Sequence, residues 1–62
     1  MTERKAGMIA NKIYKAVEAK QLSYREALTM LDKLSPFMSA SQFCKHLDFT
    51  TMCRHNPWLL EE

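Results

Sequence analysis

Apolar residues recur at helical spacing along this chain, with almost nothing between them that breaks a helix. Ala6, Ile9, Ala10, Ile13, Ala16 and Val17 recur at steps of three and four. At about 100° per residue they form one stripe on a helix surface. Thr2 stands where an N-cap would, and Glu3 in the first turn complements the helix dipole. The single glycine, Gly7, lies inside this pattern, and the two prolines, Pro36 and Pro57, lie far beyond it. The pattern predicts a first helix over about residues 3–20.

Two further helices announce their own starts. Ser23-Tyr-Arg-Glu26 and Ser39-Ala-Ser-Gln42 are capping boxes, in which a serine hydroxyl takes a first-turn N–H and the Glu or Gln reaches back. Leu22 with Ala27, and Met38 with Phe43, stand where hydrophobic staples fall. Tyr24, Ala27, Leu28, Met30, Leu31 and Leu34 share one face of a helix over 23–34, which Ser35-Pro36 ends. Ala40, Phe43, Cys44 and Leu47 share a face of a shorter helix over 39–47. Asp48-Phe49 reads as a break, with one further turn near 50–55 that Asn56-Pro57 stops. No strand pattern occurs. The expected fold is all-α and forms one small domain. The first two helices pair as an antiparallel hairpin, because their connection is short. The third helix and the Trp58-Leu59-Leu60 tail close the open side.

Size narrows the function. A chain of 62 residues buries only about 60% of the surface exposed when unfolded, so its stability is marginal. It has little material for a walled catalytic cleft, and it holds no Gly-rich phosphate loop or paired-carboxylate motif. No enzyme activity, cofactor or small-molecule substrate is expected. The net charge of +2 is too weak to imply nucleic acid, but it is unevenly spread. Residues 1–25 carry six bases and two acids (+4), and residues 26–62 carry three bases and five acids (−2). No apolar run is long enough for a membrane span, and the N-terminus does not read as a signal peptide. Cys44 and Cys53 are therefore expected to stay reduced, in a cytoplasmic protein.

Four groups of residues are candidate sites. Cys44-Lys-His46 and Cys53-Arg-His55 together offer two thiols and two imidazoles, a tetrahedral zinc set by residue type. Ligands two apart on a helix point away from each other, so packing is the expected role and no metal is expected. A Cys–His catalytic couple lacks any group to orient the imidazole. Arg4, Lys5, Lys12 and Lys15 gather on one face of the first helix, beside Met8. A helix-turn-helix has two placements: residues 24–34 with 40–47, or 40–47 with the turn after Thr50. Gln42 and Lys45 would read bases in the first, and Thr51, Arg54 and His55 would face a groove in the second. The fourth group is apolar: Met8, and Trp58 with Leu59 in the tail.

These observations favour a regulatory interaction protein that binds another protein or its own copy. Met8, Lys12, Lys15, Trp58 and Leu59 are its expected contact surface. The alternative is a small DNA-binding regulator using Arg4, Lys5, Gln42, Lys45, Thr51 and Arg54. In size and helical make-up the chain resembles small proteins of bacteriophages and mobile elements, which implies a host protein or an operator as partner.

Overall fold

A computed structural model describes residues 1–61 and shows an all-α protein. Its helices are α1 (Glu3–Glu18), α2 (Tyr24–Leu34) and α3 (Ala40–His55). A 3-10 turn at Ser35–Phe37 joins α2 to α3, and another at Pro57–Leu60 follows α3. Each α-helix is capped as its sequence predicts. The hydroxyls of Thr2, Ser23 and Ser39 accept from the N–H groups of Lys5, Glu26 and Gln42.

α1 stops at Glu18, two residues before the expected end. The stop is a Schellman motif. Gln21 N–H reaches back to the Ala16 carbonyl at 2.8 Å, and Lys20 N–H to that of Val17 at 3.0 Å. Lys20 sits between them with φ of 59°, in the left-handed region where a Cβ is strained. No glycine marks this turn in the sequence, so the strain falls on a lysine. Lys20→Gly is expected to stabilise the protein by about 0.5–1 kcal/mol, raising Tm by roughly 4–8 °C. Thermal denaturation followed by circular dichroism checks this, and an unchanged or lowered Tm would contradict it.

α1 and α2 pair antiparallel as the short connection predicts. Their facing stripes, Ala10, Ile13 and Val17 against Ala27, Leu31 and Leu34, form the core. Ala6 and Ala27 are fully buried. α3 lies across this hairpin in the same direction as α1. Gly7 meets Gln42 near the start of both helices, and Tyr14 meets Phe49 further along. Leu59 and Leu60 are half-buried where the last turn packs on α2 and α3.

The structure departs from expectation most in α3. No break occurs at Asp48-Phe49, and the separate turn near 50–55 is the second half of one continuous helix. Phe43, Cys44 and Leu47 are exposed, and the buried residues are His46 and Cys53. Asp48 points outward, so it does not interrupt the helix, while Phe49 turns in between Tyr14 and Tyr24. α3 carries apolar side chains all round, so spacing alone does not single out its inner face. On α2, Met30 is exposed rather than part of the buried stripe.

Candidate functional site

The inner face of α3 is held by aromatic stacking and one polar contact. The Phe49 ring lies 5.5 Å from that of Tyr14 and 5.8 Å from that of Tyr24, stacked on the latter. Such pairs contribute about 0.5–1.5 kcal/mol each beyond simple burial. The buried His46 donates from Nε2 to Oδ1 of the exposed Asp32 at 3.1 Å. Its Nδ1 is buried without a partner.

A groove runs between α1 and α3. One part is a shallow, open surface depression lined by Tyr14, Lys45, Asp48, Phe49 and Met52. A smaller cavity of about 110 Å³ adjoins it, sharing Tyr14 and Lys45 and adding Asn11, Ser41 and Gln42. The Gln42 side chain lies against α1 here because residue 7 has no side chain. A Cβ on Gly7 would overlap the amide nitrogen of Gln42 and lie 2.8 Å from its Cδ. Two polar atoms of this groove are buried without a partner, the Tyr14 hydroxyl and Gln42 Oε1. Burial pushes the Tyr14 hydroxyl above its ordinary pKa, so it stays a protonated donor.

The residues of the expected contact surface do not form one patch. Met8, Lys12 and Lys15 are exposed together on the outer face of α1. Trp58 is 62% exposed and does not cap the core. Leu59 lines a separate recess of about 500 Å³ at the hairpin turn, with Val17, Lys20 and Tyr24. Val17 lies nine residues beyond Met8, roughly 13 Å along the helix. Trp58 and Leu59 thus belong to the opposite end of the molecule from Met8.

The DNA-reading set is also dispersed. Arg4 and Lys5 are exposed at the start of α1, while Gln42 is half-buried against Gly7. Lys45 and Arg54 are nine residues apart on one helix, about two and a half turns, and so project from opposite sides. Because α3 is continuous, the helix-turn-helix built on a turn after Thr50 does not exist. The face of α3 turned away from the hairpin presents Cys44, Thr51 and His55, with no Lys or Arg.

The same nine-residue offset splits the Cys-x-His pairs. His46 and Cys53 point inward, and Cys44 and His55 point outward. Among the described residues no three His, Cys, Asp or Glu side chains converge as metal ligands. No helix among them is long and apolar enough to cross a membrane.

Sequence reasoning missed Tyr14, Asp32, Phe49 and Met52 as residues of interest. Tyr14 lies between Ile13 and Lys15, on the edge of the α1 stripe, and that flanking position was the available signal. No family model, curated protein or solved structure matches this chain.

Proposed function

We propose that this chain is a non-enzymatic interaction protein that presents a helical surface to another protein. The observation that supports this reading is an imbalance of apolar surface. Among the described residues, eight large apolar side chains are exposed, including Met8, Phe43, Leu47 and Trp58, while the buried apolar side chains larger than alanine are Ile13, Val17, Leu31, Leu34 and Cys53. Methionines and aromatics of this kind adapt to partner surfaces and anchor them. The basic outer face of α1, with Lys12 and Lys15 beside Met8, supplies long-range steering toward an acidic partner.

Selection of displayed random peptides on the intact chain tests this reading. Convergent enriched sequences are the expected result. Lys12→Glu combined with Lys15→Glu is expected to weaken their capture about tenfold with helicity unchanged, because both side chains are exposed. Failure to enrich any sequence, with tight duplex DNA binding that collapses between about 50 and 200 mM salt, would overturn it in favour of a nucleic-acid partner.

A further inference from the structure

We propose that the flank where α2 and α3 lie side by side pairs with the same flank of a second copy of this chain, as an antiparallel two-fold dimer. This inference rests on the reading that an exposed helical surface takes a protein partner, and it names the partner and the face.

Phe43, Leu47 and Arg54 are all exposed on α3. They stand at steps of four and seven, which sets them on one line within about 40°. Phe43 and Leu47 are 40% and 49% exposed, so the line has an apolar half. The Phe43 ring lies 6.0 Å from that of His46, whose Nε2 donates to Asp32 of α2. Asp32 thus borders the line at its Phe43 end. Its side chain is 75% exposed and only Oδ1 is engaged. Arg25 precedes Asp32 by seven residues and shares its line on α2. Because α2 runs opposite to α3, Arg25 lies toward the Arg54 end. The flank therefore carries an acid at one end, two bases at the other and apolar side chains between. Among the described residues neither arginine forms an ion pair within the chain.

This order of charge selects the occupant. An antiparallel copy brings the basic end of each flank over the acidic end of the other, so the face complements itself. Thr50 lies midway between His46 and Arg54, four residues from each. A two-fold axis at Thr50 sets each Arg54 at the level of the second copy's His46 and Asp32, with a Leu47 on either side of the axis. A nucleic-acid backbone or a uniformly acidic protein would meet Asp32 unfavourably at one end. From Phe43 to Arg54 the line runs about 16 Å across two helices, each about 10 Å wide. That is a small face, in the class of weak, transient interfaces. The dimer is therefore expected to form and dissociate reversibly.

Sedimentation equilibrium of the intact chain from about 10 μM to 1 mM tests this, with NMR spectra over the same dilution. A monomer–dimer equilibrium is expected, with dilution shifts centred on Phe43, Leu47 and Arg54. Leu47→Lys and, separately, Arg54→Glu are each expected to weaken association at least tenfold with unchanged circular dichroism, because every change enters the interface twice. Mixing Arg54→Glu with Asp32→Lys is expected to restore association as a heterodimer, since each acid then meets a base. Should Asp32→Lys lose helicity, the dilution shifts and the other two variants decide alone. Lys12→Glu with Lys15→Glu, on the outer face of α1, is expected to leave the dimer unchanged. A monomer throughout the range, shifts centred on Met8 and Lys12 instead, or full association in the Leu47→Lys variant would overturn the dimer. None of these would touch the peptide selection on which the interaction reading stands.

Discussion

Leu31→Ala is expected to leave much of the protein unfolded at 25 °C. Leu31 is fully buried on α2, at the centre of the stripe that meets Ile13 and Val17 of α1. Truncating a leucine in such a place removes its transfer free energy and leaves a cavity, together about 2–5 kcal/mol. A single core in a chain this short rarely supplies more than about 3–5 kcal/mol, so the loss matches the whole stability. The neighbouring Met30 is exposed and serves as the control. Met30→Ala is expected to stay within about 0.5 kcal/mol of the unaltered chain. Urea titrations of both variants decide the matter. Equal effects at the two positions would mean that α2 does not bury the face described here.

The two cysteines are expected to react at rates differing by two orders of magnitude or more. Cys44 is exposed on the outer side of α3 and Cys53 is buried on the inner side. Burial also pushes the Cys53 thiol above its ordinary pKa, so little thiolate is present at neutral pH. An alkylating reagent reaches it only when the chain opens. With about 3 kcal/mol of stability, opening exposes the thiol less than one part in a hundred of the time. One fast and one slow thiol by mass spectrometry is the expected record, and the slow phase should vanish in denaturant. The raised pKa has a sign for stability as well. The folded state favours the neutral thiol, so this contribution is intact below the unfolded thiol's value of about 8.5 and is lost as pH rises above it. The Tyr14 hydroxyl, also raised by burial, acts in the same direction at higher pH. Two equally fast thiols would show that α3 is not seated on the hairpin.

Much of the fold is legible in the residues, and the reason differs between helices. α1 and α2 each pair a capping serine or threonine with a single apolar stripe, so local and tertiary signals agree. Their hairpin follows from the short connection. α3 has a legible start at Ser39, but its two sides compete. The Phe43, Cys44 and Leu47 side satisfies helical spacing as well as the His46, Phe49 and Cys53 side does. A histidine reads as polar until Asp32 is placed opposite it, and that pairing spans 14 residues of sequence. The α1–α3 groove was illegible for a similar reason. It depends on a glycine that lets a glutamine side chain approach, and Gly7 looks in sequence like a mere weakness in a helix.

A helix with two apolar sides has two ways of lying on the same hairpin. Rolling α3 by about 100°, one residue of helical phase, would bring Phe43 and Leu47 inward and carry His46 and Cys53 to the surface. Apolar burial is non-directional and discriminates poorly between these seatings. The hydrogen bond from His46 to Asp32 is directional and exists in only one of them. Together with the stacking of Phe49 on Tyr14 and Tyr24, it favours the observed seating over the rolled one, as buried polar pairs fix register in helical assemblies.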